Sequence, residues 1–256
     1  MKTIILAGGF GTRLSEETKS KPKPMVEVGG RPILWHIMKI YAHHGFNEFV
    51  LGLGYKADLI KKYFIEYANY SGNITVEIRD GKSVITRREQ DEWIIHLEDT
   101  GLDTMTGGRV KKLSKWVENE PFMLTYGDGV SNINIKELIR FHKKQGRLAT
   151  LTAVRPPARY GGINIKNNIV ESFTEKPQTG EGWVNGGFMV CDPQILRMIE
   201  GTGTSLEAEL LGTLAEQGQL SVYCHDGFWQ CMDTLRDLKY LESVWASGKA
   251  PWQVWG

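Results

Sequence analysis

The residues best suited to bind an anion lie near the start of the sequence, in a glycine-rich run at residues 8–13 that follows an apolar segment at residues 3–7. Three glycines in four positions let the backbone approach a ligand closely and present successive N–H groups as a concave anion site. Arg13, Lys19, Lys21 and Lys23 add positive charge beside it. These residue types predict a buried strand followed by a loop that holds a polyphosphate.

Two common nucleotide-binding motifs do not account for this loop. The dinucleotide fingerprint G-x-G-x-x-G fails because Leu14 stands where a third glycine should follow Gly9 and Gly11. The P-loop pattern fails because no Gly-Lys-Ser/Thr closes the run. Lys21 and Lys23 each precede a proline, which favours extended backbone and predicts a stiff arm that carries ammonium groups. The alternative is a turn made only for tight geometry, with solvated lysines beside it.

Composition narrows the class of protein. The 256 residues, 41% of them hydrophobic, are enough for one large domain, which we predict to span residues 1–256. No apolar stretch could span a bilayer and no secretory signal precedes the first strand, so we expect no membrane partner and a cytoplasmic protein. The net charge of +1 argues against nucleic acid as a partner. Cys191, Cys224 and Cys231 lack zinc-binding spacing, and we expect free, mostly buried thiols.

Strands alternate with amphipathic helices along the chain, which predicts an α/β fold: a Rossmann-like, mainly parallel sheet with helices on both faces and small accessory strands. The predicted strands are 3–7, 46–53, 74–78, 84–87, 93–97, 122–126, 148–154, 184–190 and 220–224, with short ones near Ile163 and Val170. The predicted helices are 33–44, 59–68, one opened by Gly107-Gly108, 134–145, 205–217 and 235–247. We expect Asp58, Asn134 and Thr204 to start three of them. The strands within 74–97 form an excursion, and residues 83–101 suggest a subunit-contact arm or a lid.

These elements place the polar motifs at one edge of the sheet. In an open α/β sheet, ligands bind beyond the carboxyl ends of the strands. The run 8–13 follows the first strand, Gly127-Asp128-Gly129 follows the strand 122–126, and Gly107-Gly108 opens a helix whose free N–H groups could donate to a base or a phosphate. Asp128 and Asp233 are the carboxylates best suited to Mg²⁺. The alternatives are an ordinary turn residue at Asp128 and a helix cap at Asp233.

The run from Leu6 to Leu14, followed by Lys21-Pro22-Lys23-Pro24-Met25, resembles the signature of the sugar-1-phosphate nucleotidylyltransferases. The resemblance extends along the whole chain through Arg31-Pro32-Ile33-Leu34-Trp35-His36, Asp103-Thr104-Met105-Thr106-Gly107-Gly108-Arg109, Tyr126-Gly127-Asp128-Gly129-Val130, Glu175-Lys176-Pro177, Asn185-Gly186-Gly187-Phe188 and Trp229-Gln230-Cys231-Met232-Asp233-Thr234. It implies the nucleotidyltransferase type of fold. The whole pattern points to the branch that uses CTP and glucose 1-phosphate.

The resemblance also implies roles for individual residues. It assigns catalysis to Arg13, Lys23 and Asp128, and Mg²⁺ to Asp128 and Asp233. It assigns the nucleotide to Leu6, Ala7, Gly8, Gly9, Phe10, Gly11, Thr12, Arg13, Lys23, Thr104, Gly108, Arg109 and Gly127. It assigns the sugar phosphate to Glu175, Lys176, Asn185 and Gly186. For the Glu175-Lys176 pair, the alternative is a surface ion pair beside a proline turn.

The activity that the resemblance implies is transfer of the cytidylyl group of CTP to α-D-glucose 1-phosphate, which gives CDP-glucose and pyrophosphate. Such a reaction needs no protein nucleophile, because the sugar phosphate is already ionised and the protein aligns two anions and offsets their charge. The resemblance further implies a homo-oligomer that serves dideoxysugar and lipopolysaccharide O-antigen biosynthesis. UTP, dTTP or another sugar 1-phosphate are open alternatives. A non-catalytic nucleotide sensor and a glycosyltransferase are the rivals from other classes.

Overall fold

The fold was analysed on a computed structural model that describes residues 1–70, 73–79, 82–88, 91–156, 162–166, 169–174 and 182–255. Side chains are described throughout these ranges except those of Arg13, Ser15 and Glu16 and those of residues 73–79, 82–88, 162–166 and 169–174. Glu175 and Lys176, two of the predicted sugar-phosphate residues, therefore lie outside the described residues.

Seven strands form the main sheet in the order β14-β10-β13-β8-β1-β4-β7. Their bounds are β1 Thr3–Ala7, β4 Glu48–Leu53, β7 Ile94–Asp99, β8 Phe122–Tyr126, β10 Ala149–Val154, β13 Val184–Cys191 and β14 Leu220–His225. Strand β13 runs antiparallel to both of its neighbours, β10 and β8, whereas the other neighbouring pairs are parallel. The prediction of a mainly parallel sheet is confirmed.

Four two-stranded sheets complete the strands of the described ranges. They pair β2 Glu27–Val28 with β3 Arg31–Pro32, β5 Asn73–Arg79 with β6 Lys82–Arg88, β9 Gly129–Ser131 with β15 Trp229–Cys231, and β11 Gly162–Lys166 with β12 Ile169–Thr174. The hairpin β5–β6 matches the predicted excursion. The third strand of that excursion does not, because β7 pairs in parallel with β4 and forms an edge of the main sheet.

Both faces of the sheet are covered, as the continuous apolar run along β1 requires. Ile4 and Leu6 belong to one buried cluster, and Ile5 and Ala7 belong to the other. The helices that supply these clusters are α2 Ile33–His43, α3 Ala57–Tyr70, α4 Thr106–Lys112, α5 Ile135–Gln145, α6 Gly212–Glu216 and α7 Leu235–Ala246, with a π-helical segment at Leu206–Leu211. A further short helix, α1, spans Ser15–Thr18. The 3₁₀ turns are Thr12–Leu14, Lys23–Met25, Ser114–Trp116 and Pro193–Arg197.

Helix starts are confirmed in part. Asn134 caps α5 as predicted, because its Oδ1 accepts from the backbone N–H of Glu137 at 3.1 Å. The start predicted at Asp58 is wrong, since α3 begins at Ala57 and Asp58 lies in its first turn. The start predicted at Thr204 is also wrong, because Ser205 is the capping residue and its side chain accepts from the N–H of Ala208. Sequence spacing alone does not separate two adjacent hydroxyl residues.

No helix within the described ranges is long and apolar enough to cross a membrane. All three cysteines fall in those ranges and are free thiols, as predicted. The expectation that they are mostly buried is wrong: only Cys191 is buried, while Cys231 is half-buried and Cys224 is exposed. Burial raises the pKa of the Cys191 thiol to about 12, so that thiol stays protonated at neutral pH.

Candidate active site

An open cavity of about 570 Å³ lies beyond the carboxyl ends of β1 and β8. Its lining residues are Leu6, Ala7, Gly8, Gly9, Phe10, Gly11, Thr12, Lys23, Pro24, Leu102, Asp103, Thr104, Met105, Thr106, Arg109, Tyr126, Gly127, Asp128 and Glu207. Most of the residues predicted for the nucleotide are therefore gathered around one space. The cavity has the position that ligands take in open α/β sheets.

The glycine-rich loop is stabilised by the turn that follows it. Gly11 has a φ of +65°, in the left-handed region that favours glycine, and its carbonyl accepts from the Leu14 N–H at 3.0 Å. The Thr18 hydroxyl donates to the same carbonyl at 3.0 Å. The loop is thus anchored through a carbonyl and keeps the N–H side of its backbone for the cavity. Arg13 follows in the turn, but its side chain lies outside the described part of the chain.

Arg109 supports the wall of this cavity from behind. The residue is only 4% exposed, and its guanidinium donates to protein oxygens from three segments of the chain. The acceptors are the carbonyls of Gly8, Leu53, Gly101 and Leu102 and the hydroxyl of Thr100, at 2.6–3.1 Å. Burial lowers the pKa of the guanidinium, which nevertheless stays charged. Arg109 therefore fixes the loops around the cavity, because its terminal N–H groups donate to oxygens of those loops.

Two glycines make room for that guanidinium. A Cβ on Gly8 would lie 2.4 Å from an Arg109 terminal nitrogen, and a Cβ on Gly54 would lie 2.6 Å from the same nitrogen. Any side chain at either position would displace the arginine from its acceptors. Gly8 is therefore required for packing as well as for approach to a ligand, a role that the sequence analysis did not foresee.

Asp128 and Asp233 are far apart in the sequence but adjacent in space, because the ribbon β9–β15 joins their loops. In its antiparallel register Cys231 stands opposite Gly129, and the Met232 N–H donates to the Asp128 carbonyl at 2.8 Å. The helix that follows Asp233 is capped by Thr234 and Asp237, which form a capping box. The alternative role of Asp233 as a helix cap is therefore excluded, and its carboxylate is directed elsewhere.

Both carboxylates meet the ammonium of Lys23. The Lys23 Nζ lies 2.7 Å from Asp128 Oδ2 and 2.5 Å from Asp233 Oδ1. Lys23 is 8% exposed and begins a 3₁₀ turn directly after Pro22, so the prediction of extended backbone at Lys23 is wrong. Burial alone lowers the pKa of this ammonium, but the two carboxylates outweigh burial and hold the pKa above its ordinary value.

The donor set of this cluster fits a divalent cation. Two carboxylates already converge on one positive charge, and Mg²⁺ is commonly held by one or two carboxylates together with substrate phosphates and water. Asp128 also lines the cavity in which a phosphate would lie. Within the described residues, no group of three or more His, Cys, Asp or Glu side chains forms a complete metal cage. A cation here would thus take its other ligands from solvent and substrate.

The rim of the cavity is apolar on one side. Phe10, Leu102 and Met105 are 46%, 48% and 49% exposed, which is high for large apolar side chains, and all three line the cavity. Exposed apolar surface grouped around a cavity is typical of a ligand site. Thr104, predicted for the nucleotide, lies beside them and donates to the Thr100 carbonyl at 2.6 Å. This end of the cavity is suited to a planar base.

Sequence reasoning missed Tyr126 and Glu207 as cavity residues. The Tyr126 hydroxyl donates to Glu207 Oε1 at 2.7 Å, and the Thr106 hydroxyl donates to Glu207 Oε2 at 2.7 Å. Burial and the adjacent Glu207 carboxylate raise the pKa of Tyr126, so its hydroxyl remains a donor. The position of Tyr126 directly before Gly127-Asp128 was a usable signal. Glu207 gave none, because its placement depends on how the π-helical segment packs.

Gly108, Asn185 and Gly186 are among the predicted residues that do not line the cavity. The Gly108 N–H donates to the Thr204 carbonyl at 3.1 Å, so the prediction that it is free for a ligand is wrong: the segment before Ser205 packs across the start of α4. Asn185 Oδ1 accepts from the Gly187 N–H, and the Gly186 carbonyl accepts from the Trp229 indole at 2.8 Å. Asn185 and Gly186 thus lie on β13 next to the ribbon, and their sugar-facing role stays a prediction.

Comparisons with known proteins show the family of this chain. The family model described as nucleotidyl transferase matches residues 2–242. The chain is 49% identical over 256 residues, all of both chains, to the glucose-1-phosphate cytidylyltransferase of Salmonella typhimurium (strain LT2). It is 41% identical over 256 residues, again all of both chains, to the probable glucose-1-phosphate cytidylyltransferase of Bacillus subtilis (strain 168).

A solved structure supports the fold. The crystal structure of HddC from Yersinia pseudotuberculosis matches with a TM-score of 0.68 at 24% identity, covering 95% of this chain and 99% of that one. At that identity the structural similarity concerns the fold alone, and it confirms the predicted Rossmann-like fold. The family follows from the sequence matches over the full chain: this protein is a member of the nucleotidyl transferase family.

Proposed function

We propose that this protein transfers the cytidylyl group of CTP to α-D-glucose 1-phosphate and releases CDP-glucose and pyrophosphate. The observation that carries the reaction class is the meeting of Lys23, Asp128 and Asp233 at a cavity lined by a glycine-rich loop. The choice of CTP and glucose 1-phosphate rests on the two full-length relatives. A glycosyltransferase would not need the polyphosphate loop, and a sensor would not need the carboxylate pair.

The reaction is a direct displacement at the α-phosphorus of CTP. A phosphate oxygen of glucose 1-phosphate attacks, a new P–O bond forms, and the bond between the α-phosphorus and the bridging oxygen breaks as pyrophosphate leaves. No protein nucleophile is required, because the attacking oxygen is already ionised. The protein contributes alignment of two anions and stabilisation of the charge that builds up on the leaving group.

The chain has residues suited to each part of CTP. Backbone N–H groups of residues 8–11 hold the triphosphate together with Arg13 and Lys23, and the apolar rim formed by Phe10, Leu102 and Met105 holds the base. Asp128 and Asp233 would hold Mg²⁺, which, when bound, offsets the negative charge of the triphosphate. Arg109 keeps the loop at Gly8 and the loop at residues 100–102 at a fixed separation.

The sugar phosphate is assigned to Glu175, Lys176, Asn185 and Gly186. Lys176 is proposed to hold the phosphate of the nucleophile, because a lysine ammonium is a compact charge suited to a monoester. Glu175 is proposed to accept hydrogen bonds from sugar hydroxyls, with Asn185 and Gly186 as the adjoining wall. This assignment is supported by the next part of β13, where a Cβ on Gly187 would lie 2.7 Å from the ring of Tyr126, which lines the cavity.

Pyrophosphate release tests the proposal. The purified protein is given glucose 1-phosphate and Mg²⁺ with CTP, UTP, dTTP, ATP or GTP in separate reactions, and a Lys23→Ala variant prepared in parallel reports background from other enzymes. Release with CTP alone supports the proposal. Release with UTP or dTTP keeps the mechanism and changes the product. Binding of CTP without release, with every sugar 1-phosphate offered, would point to a nucleotide sensor.

The remaining expectations are proposals of smaller scope. A homo-oligomer is testable by light scattering, and a cytoplasmic location by cell fractionation. A role in dideoxysugar and O-antigen synthesis is testable by the loss of CDP-glucose and of the polysaccharide in a deletion strain. One domain over residues 1–256 predicts a single cooperative unfolding transition.

A further inference from the structure

Lys23 and a divalent cation require the same oxygen atoms. The Lys23 ammonium donates hydrogen bonds to Asp128 Oδ2 and Asp233 Oδ1, and the proposed function assigns Mg²⁺ to these two carboxylates. A cation that binds the same two oxygens displaces that ammonium. We propose that Lys23 closes the metal site of the free enzyme, and that the divalent cation enters by exchange and releases the ammonium toward the triphosphate. This inference rests on the proposed function.

The carboxylates are held in place without the lysine. The Asp128 backbone is fixed by its carbonyl, which accepts from the Met232 N–H at 2.8 Å, and by the ribbon β9–β15 that follows it. The Asp233 backbone is fixed by its N–H, which donates to Asp237 Oδ2 at 3.1 Å. Departure of the ammonium would therefore leave both carboxylates on backbone that other hydrogen bonds hold in place.

Only the outer part of the Lys23 side chain is free to rotate. Its Cβ lies 3.1 Å from where a Cβ on Gly11 would be, so the base of the side chain packs on the glycine-rich loop. The remaining carbons are a flexible stem, and Lys23 lines the cavity beside that loop. Rotation of the stem takes Nζ from the carboxylates toward phosphates held by the loop, with no change in the backbone.

The charges make the exchange more favourable when both ligands are present. The two carboxylates attract cations, but an entering ion must also separate Nζ from its partners. A triphosphate beside the loop offers the released ammonium a new anionic partner. Metal and CTP should therefore bind cooperatively, with each raising the affinity of the other.

Metal binding to a lysine variant tests the exchange directly. We would titrate Mn²⁺, without nucleotide, into the wild type and into Lys23→Met, and follow the free ion by electron paramagnetic resonance. Removal of an ammonium in contact with both ligands should tighten Mn²⁺ binding at least about tenfold. Lys21→Met is the matched control, because the substitution removes the same charge two residues away. Lys21 pairs with Glu27 at 3.5 Å. We expect less than about a twofold change there.

The double variant Lys23→Met with Asp128→Asn shows where the ion binds. It should lose the gain in Mn²⁺ affinity, and a gain that survives would place the ion elsewhere and overturn the proposal. Equal affinities of the wild type and a folded Lys23→Met variant would overturn it as well. Pyrophosphate release by the wild type is a separate assay, so failure of the exchange is distinguishable from failure of the proposed function.

A measurement on the wild type covers the case in which Lys23→Met does not fold. An amine-reactive reagent is applied for a short time with Mg²⁺ or with KCl of equal ionic strength, and modification of Lys23 and Lys21 is quantified by peptide mass spectrometry. Exchange predicts that Mg²⁺ raises the labelling rate of Lys23 severalfold and leaves that of Lys21 unchanged. An unchanged Lys23 rate at saturating Mg²⁺ would mean that the ion binds without displacing the ammonium.

Discussion

Arg109 and Lys23 are both cationic, both nearly buried and both on the wall of one cavity, yet their surroundings differ in kind. Arg109 donates to neutral oxygens of the protein backbone and to one hydroxyl, whereas Lys23 is in contact with two carboxylates. A buried charge must be satisfied by hydrogen bonds or by an opposite charge. The first solution makes a fixed wall, and the second makes a contact that another cation can replace.

Because of this difference, we expect substitutions of the two residues to have different effects. Arg109 should affect the stability of the fold, because its hydrogen bonds join three segments of the chain. Lys23 should affect turnover and metal binding, because its partners are anions that solvent and metal can also satisfy. The following predictions are ordered by the size of the expected effect.

The largest effect is expected on turnover. Lys23→Ala or Arg13→Ala should lower kcat by about 10² to 10³, because each removes a donor to charge that develops on the leaving pyrophosphate. Steady-state pyrophosphate release measures this, and circular dichroism checks that each variant is folded. Lys21→Ala is the control and should stay within about twofold of the wild type. Near-normal kcat in both variants would remove the role proposed for these cations.

Arg109→Met should lower the free energy of unfolding by about 3 kcal/mol, because it removes the five hydrogen bonds through which a buried guanidinium joins three segments of the chain. Urea denaturation followed by tryptophan fluorescence measures the difference. Lys112→Met is the control on the same helix: Lys112 donates to the Thr100 carbonyl at 2.8 Å but is itself exposed, and its loss should cost less than about 1 kcal/mol. Equal losses in the two variants would contradict the idea of a fixed wall.

Gly54→Ala should cost roughly 2 kcal/mol of stability, because its methyl group would lie 2.6 Å from both the Arg109 guanidinium and the Gly8 carbonyl. It should also weaken CTP binding, since the displaced guanidinium holds the glycine-rich loop. Gly212→Ala is a helical control with no neighbouring atom within 4 Å, and it should be neutral or slightly stabilising. A Gly54→Ala protein as stable as the wild type would show that the Arg109 guanidinium can move without loss of stability.

His36 extends the comparison to a buried base that can lose its charge. It is fully buried, and burial lowers its pKa from 6.5 to about 4 despite its hydrogen bond to the Val28 carbonyl. The folded state therefore binds its proton less well than the unfolded state does, so stability is fully present above pH 6.5 and falls as the pH drops toward 4.

Between pH 8 and pH 5 the His36 contribution should be up to about 2 kcal/mol. Urea denaturation of the wild type and of His36→Gln at both pH values measures it, because carboxylates titrate alike in the two proteins and cancel in the difference. A pH dependence that is unchanged in His36→Gln would mean that His36 does not titrate in the expected range.

Local patterns predicted the parts of the fold that depend on neighbouring residues in the chain. Phe122–Tyr126 agrees with its predicted strand, and the helix after Pro32 ends just before Gly45, as its residues indicate. The position of β7 at the sheet edge could not be predicted, because alternation along a strand does not reveal its partner. Ser205 and Thr204 are chemically similar caps, and packing decided between them.

The candidate site shows the same division. The glycine-rich loop and Asp128 were predictable, since each follows a buried strand and has few structural uses. The contacts of Arg109 were not, because an arginine in a short helix gives no sign in the sequence that it will be buried among carbonyls. Tertiary contacts, not residue type, determine whether a cation meets a ligand or supports the loop that does.

The ribbon β9–β15 also sets when the site can come into existence during synthesis. Asp128 emerges from the ribosome well before Asp233, and only pairing of Gly129–Ser131 with Trp229–Cys231 brings the two together. A nascent chain that ends before residue 231 can fold much of the central sheet and still lack the carboxylate pair. Catalytic competence should therefore appear abruptly, once the strand Trp229–Cys231 has been made.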